Sequence, residues 1–226
     1  MSRALKTTLQ TTFAEALGTL ILLAVVVGSG IMGEQLAQVN TAVALLANSL
    51  ATGCALFVLI VLFGPVSGAH FNPVVTLVSA CQKDLAWSRV PGYLLAQVVG
   101  ALLGVALAHG MFDLSLIQQS THLRTGWAQW LGEITATAGL LLVILRIAPR
   151  GKLELTAACV ALYITAAYWF TSSTSFANPA VTLARSYTNT FAGIAPMDVL
   201  GFVVAQSLGA LLGWGLVRAL PPTDQR

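Results

Sequence analysis

The sequence repeats itself, and the manner of the repeat leaves few folds open. The run Gly92-Tyr-Leu-Leu-Ala-Gln97-Val-Val-Gly100-Ala-Leu-Leu-Gly104 returns 109 residues later as Gly201-Phe-Val-Val-Ala-Gln206-Ser-Leu-Gly209-Ala-Leu-Leu-Gly213. Asn72-Pro73-Val74-Val75-Thr76-Leu77 returns at an offset of 106 as Asn178-Pro179-Ala180-Val181-Thr182-Leu183, and Glu15 is matched by Glu133 in the same order. Six apolar stretches accompany these marks, at residues 14–27, 42–63, 90–108, 130–147, 153–170 and 199–217. A helix needs about 20 such residues to cross a bilayer, so each stretch reads as a membrane span. Three spans per copy is an odd number, which sends the second copy into the bilayer from the opposite face. The chain therefore divides into a first repeat over residues 1–109, a connection over 110–129 and an inverted second repeat over 130–226.

Composition narrows the function classes. Of the 226 residues 57% are hydrophobic and 8% charged, whereas soluble domains carry about 25% charge. A large soluble domain and a disordered chain are both excluded. Cys54, Cys81 and Cys159 are odd in number and lie outside any CxxC or Cys/His spacing, so they read as small packing residues, not disulfides or metal ligands. Ser172 to Ser175 lack a GxSxG elbow and a placed histidine, which argues against an enzyme. The first span contains Glu15 and has no clear A-x-A site after it, so it is expected to remain as a helix. Nine of the eleven basic residues fall on one side, leaving Arg124 and Arg185 on the other. Both termini are then expected in the cytoplasm and the 110–129 connection outside. The net charge of +3 reflects that orientation bias and gives no nucleic-acid signal.

Within each copy the Asn-Pro segment follows a stretch too short and polar to cross: Gly64-Pro-Val-Ser-Gly-Ala-His-Phe before Asn72, and Thr171-Ser-Ser-Thr-Ser-Phe-Ala before Asn178. Asn suits a helix N-cap, and Pro73 and Pro179 suit the first helical turn. Two re-entrant half-helices are expected, dipping from opposite faces and meeting near the midplane. Their N-termini and the Asn72 and Asn178 amides would favour polar oxygens there and oppose cations. An intramembrane carboxylate costs about 2.5–3.5 kcal/mol to insert. The paired positions of Glu15 and Glu133 suggest that each braces a loop through its backbone N–H groups, with a proton relay as the rival role. His70 is read as a third loop brace, with a pH gate as its rival. The small-xxx-small pairs Gly100/Gly104 and Gly209/Gly213 are expected to pack the third span on the sixth. Tyr168, Trp169 and Phe170 are expected in an interfacial aromatic belt.

Taken together, the six spans, the inverted repeat, Ser67-Gly-Ala-His-Phe-Asn-Pro73, Asn178-Pro-Ala180, Glu15/Glu133 and the two Ala-Gln pairs resemble the aquaporin and aquaglyceroporin (major intrinsic protein) family. The resemblance covers nearly the whole chain. It implies an all-α membrane protein, a right-handed bundle of six transmembrane helices plus two half-helices, with one pore per subunit. It also implies a homotetramer in a lipid bilayer that passes water and small neutral solutes passively, without cofactor or metal. Two positions depart from the family pattern. Val74 stands where Ala is usual, and Val181 stands where the family nearly always has an arginine forming one wall of the narrowest constriction. Matching the other constriction positions by spacing gives Thr52, Ser175 and Ala166, all short. The filter is expected to be wide, admitting glycerol, urea and neutral arsenic or antimony hydroxides. Arg185 falls on the side of Asn178 and Val181, one turn farther out; it reads either as a surface arginine or as a substitute filter charge. The competing classes are a proton- or ion-coupled secondary transporter, which inverted repeats also build, and a closed-pore adhesion protein. Short loops suit a bacterial inner membrane.

Overall fold

The computed structural model describes residues 3–221, with side chains from residue 7 onward. Arg3, Lys6 and Arg226, used in the orientation count, lie outside the described side chains. Among the described residues there are eight α-helices: α1 Arg3–Ala37, α2 Thr41–Ser67, α3 Pro73–Cys81, α4 Val90–Met111, α5 Trp127–Ile147, α6 Leu153–Phe170, α7 Pro179–Arg185 and α8 Val199–Ala219. Six of them are long and apolar enough to cross a membrane; α3 and α7 are the short helices that begin at the Asn-Pro pairs. Their outward faces are apolar, with Leu62, Leu95, Leu162 and Leu211 more than half exposed. Cys54 and Cys81 are also exposed, so these two do not pack inside the chain as expected.

The second span runs a turn farther than the apolar pattern suggests. It continues through Pro65 to Ser67 and stops at Gly68, whose φ of 89° returns its N–H to the Gly64 carbonyl at 3.0 Å. That left-handed C-cap is the conformation glycine adopts without a Cβ clash.

The glycine pairs pack differently from the sequence expectation. A Cβ at Gly100 would lie 2.2 Å from the Ala16 carbonyl oxygen, and one at Gly104 would lie 2.3 Å from that of Leu20. At Gly209 and Gly213 the corresponding oxygens, at 2.5 and 2.4 Å, belong to Ile134 and Ala138. Each repeat thus presses its own first and third long helices together, α4 on α1 and α8 on α5, and the pairs do not join α4 to α8. The repeats meet where α2 packs on α6, and each half-helix also rests on the other repeat, α7 on α4 and α3 on α8.

Candidate functional site

The loops leading into α3 and α7 share an unusual backbone. Ala69 and Phe71 have φ of 50° and 49°, and Ser175 and Ala177, each 106 residues on, have 49° and 47°. Left-handed backbone is unfavourable by about 1–2 kcal/mol for a residue with a side chain, so both loops need support. Glu15 supplies it in the first copy: Oε1 accepts from His70 N at 3.0 Å and Ser67 Oγ at 2.6 Å, and Oε2 from Phe71 N at 2.7 Å and Gln97 Nε2 at 2.8 Å. Glu133 does the same in the second, accepting from Phe176 N at 2.9 Å, Ala177 N at 2.8 Å and Gln206 Nε2 at 2.6 Å. Both carboxylates are fully buried, and bonds of this charge-assisted kind are roughly twice as strong as neutral ones. Gln97 and Gln206 also donate to Thr76 and Thr182 on the half-helices, at 2.9 and 2.7 Å, which gives the repeated Ala-Gln pair a physical reason. The His70 ring lies 3.1 Å from Thr76 Oγ1 and packs on Tyr93.

Asn72 and Asn178 cap the half-helices and also tie the loops together. Asn72 Oδ1 accepts from Val74 N at 3.1 Å, and Asn178 Oδ1 from Ala180 N at 3.0 Å and Val181 N at 3.3 Å. Pro73 and Pro179 occupy the first helical turn. The amide nitrogen of Asn72 donates to the Ala177 carbonyl at 2.8 Å, and that of Asn178 to the Phe71 carbonyl at 2.7 Å. Each amide carries two hydrogens, so one from each remains for whatever occupies the adjoining space.

That space is a cavity of about 660 Å³, with Gln82, Asp84 and Gly151 in its wall on the α3 side and Val181 and Arg185 on the α7 side, and with both asparagines in its wall. Thr52, Ser175 and Val181 line it. Ala166 does not: it lies on the exposed face of α6, about 200° around the helix from Tyr168 at 3.6 residues per turn. Val160, Ile164 and Tyr168, spaced by four, carry the wall instead. Tyr168 is therefore no part of an interfacial belt, although Trp169 and Phe170 are exposed. Its hydroxyl lies 3.3 Å from Thr52 Oγ1. Val74 packs in the core, and it is Val75 that faces the cavity.

Arg185 is not on the surface. Only 2% of it is exposed; its guanidinium carbon sits 3.4 Å above the centre of the Phe176 ring, and its Nε donates to the Ala192 carbonyl. Arg124, from the connection before α5, approaches the same ring at 5.1 Å. Burial pushes the Arg124 guanidinium below its usual range, and the Glu133 carboxylate pulls it the other way. Sequence spacing did not single out Tyr168 or Phe176; the four-residue periodicity of buried positions in α6 would have indicated the first. Among the described residues the ionisable side chains lining the cavity are His70, Asp84, Tyr168 and Arg185, and no group of His, Cys, Asp and Glu could hold a metal.

The family model described as Major intrinsic protein matches residues 2–172. The chain is 55% identical over 207 residues to Aquaglyceroporin AqpS of Rhizobium meliloti (strain 1021), covering 92% of this chain and 88% of that one. It is 32% identical over 204 residues to Aquaporin NIP2-2 of Zea mays, covering 87% of this chain and 68% of the relative. In fold it matches the X-ray structure of the aquaglyceroporin from Plasmodium falciparum with a TM-score of 0.73 at 19% identity, over 92% of this chain and 95% of that chain.

Proposed function

The chain belongs to the major intrinsic protein family, and from that premise we propose that the cavity running past Asn72 and Asn178 is its conducting pore. The protein is an integral membrane protein and a passive channel for water and glycerol, not an enzyme. In our reading, solute oxygens accept the remaining amide hydrogens of Asn72 and Asn178 at the midplane. Thr52, Tyr168, Ser175 and Val181 form the outer constriction. Ser175 Oγ makes no hydrogen bond among the described residues, which leaves that hydroxyl unspent beside the cavity that Ser175 lines. Tyr168 and Val181 offer apolar wall to a carbon skeleton while Thr52 and Ser175 offer oxygens, a division that suits glycerol. Selectivity in such pores follows from diameter, lining donors and electrostatic barriers.

The observation that carries this reading is Val181 in the wall directly after Asn178-Pro-Ala180. A branched apolar side chain there leaves width and removes a charge, which extends the solute range to urea and to neutral arsenic and antimony hydroxides. Coupled transport finds less support, because Glu15 and Glu133 spend their oxygens on loop donors and do not line the cavity. We further read the protein as a homotetramer, as the family resemblance implies, and place it in a bacterial inner membrane with cytoplasmic termini, which the rhizobial relative and the basic-residue asymmetry support. The test is Val181→Arg in proteoliposomes. Glycerol and urea flux are expected to fall by about tenfold, the effect of roughly 1.4 kcal/mol on the barrier, with water flux retained. Unchanged solute flux in folded protein would place the constriction elsewhere.

A further inference from the structure

Arg185 closes α7 four residues after Val181, which puts it about 6 Å farther along the same wall, and both line the cavity. An arginine this deeply buried is usually neutralised by an acid. The groups that hold Arg185 are instead uncharged: the Phe176 ring under its guanidinium and the Ala192 carbonyl on its Nε. A guanidinium has five N–H donors, and the four on its terminal nitrogens make no hydrogen bond among the described residues. Nor does packing seal those nitrogens away. The platform beneath them is fixed on several sides. Phe176 meets Phe202 edge-on at 5.1 Å, and its N–H is held by Glu133 at 2.9 Å. The Arg185 carbonyl accepts from Ile194 N at 3.2 Å. Arg124 adds a second cation over the same ring, anchored through Nε to the Gly193 carbonyl at 2.7 Å.

We propose that Arg185 is the specificity-determining cation of the outer mouth, so that the charge missing at Val181 is displaced outward by one helical turn and presented on the face of Phe176. The inference rests on reading the cavity as the pore. Two stations follow in series: a donor-rich charged ring at Arg185, which turns back cations and gathers oxygen-rich neutral solutes, and behind it a wide, uncharged ring at Val181. Stacking on an aromatic face leaves the guanidinium edge free to donate, which a lysine in its place would do with a different geometry.

The test uses a charge probe one turn behind the arginine. In a background with Cys54, Cys81 and Cys159 replaced by Ser, Val181→Cys is reconstituted in sealed liposomes. It is then modified from outside with an anionic sulfonatoethyl or a cationic trimethylammonioethyl methanethiosulfonate, each rate being divided by that with a free thiol. With Arg185 present the anionic reagent is expected to be favoured by about tenfold or more, even at the dielectric of water. The preference should shrink as salt is raised. Arg185→Gln should cut the ratio several-fold, down to what the more distant Arg124 sustains, and Arg185→Lys should keep most of it. If Arg185→Gln does not fold, the ratio and its salt dependence in the arginine-bearing protein decide alone. A ratio near one with Arg185 in place, or one left unchanged by Arg185→Gln, would overturn the proposal and leave Arg185 as a tie between α7 and the following loop. Glycerol flux measured on the cysteine-replaced parent, with Val181 retained, separates the two ideas. Flux with a ratio near one defeats only the role of Arg185; no flux, or an unreactive Cys at 181, defeats the pore reading with it.

Discussion

A carboxylate without access to water has to find its hydrogen bonds inside the protein, and Glu133 finds them in the N–H groups of two successive loop residues, Phe176 and Ala177. Replacing Glu133 with Ala strands both donors, at about 1–3 kcal/mol for each buried unsatisfied group. Glu133→Ala is therefore expected to lower the thermal midpoint of the purified protein and abolish glycerol flux. Glu133→Gln, which keeps one accepting oxygen, should fall between it and the wild type. Equal midpoints for all three would show that the loop holds its shape unaided. Tyr168 makes a different prediction, about width. Tyr168→Ala removes the one aromatic wall of the outer ring and should admit five-carbon polyols, while Tyr168→Phe, which loses only the contact with Thr52 at 3.3 Å, should leave glycerol flux within a factor of about three. Isotonic swelling with polyols of increasing length distinguishes them. Glu15 and Glu133 could be singled out from sequence because the repeat pairs them. Tyr168 has no such partner, because α2 and α6 contribute different residues to the ring, and spacing from the motif points two residues away, to Ala166.

At the level of elements, the Asn-Pro pairs made the half-helices legible: capping asparagine and first-turn proline are local chemistry, and both act within a few residues of chain. Helix pairing is not local. A small-xxx-small motif announces a close approach without naming the partner, and here the partners are α1 and α5 within the same repeats. Gly104→Val should be severely destabilising, since even its Cβ would lie 2.3 Å from the Leu20 carbonyl oxygen, and backbone shifts of that kind cost typically about 1–3 kcal/mol or more. Gly215→Ala should be neutral or stabilising by up to about 1 kcal/mol, because a Cβ there meets nothing within 4 Å in the chain and alanine is the better helix former. Thermal unfolding of the two variants in detergent checks both signs; a Gly104→Val protein as stable as the wild type would mean that α1 and α4 can separate freely.

For the whole molecule, six spans and an inverted repeat were legible because both are long-range patterns of hydropathy and identity, which tertiary packing does not erase. The pore wall was less so, since which face of a span turns inward depends on how the helices pack; for Arg185 spacing leaves open a surface arginine or a filter charge, and only its packing on Phe176 and its bond to Ala192 show that it is buried. The orientation makes its own prediction: in sealed right-side-out vesicles, tags at both ends of the chain should be protected from protease, and cleavage of either would reverse the assignment. In our reading the cavity between the asparagines is a pore wide enough for glycerol. Stopped-flow light scattering of proteoliposomes tests it most directly, with glycerol and sucrose gradients applied in parallel. Such a pore gives fast shrinkage in both gradients, followed in glycerol alone by re-swelling well above the rate of empty liposomes; fast water efflux without glycerol re-swelling would mean that the cavity does not pass glycerol.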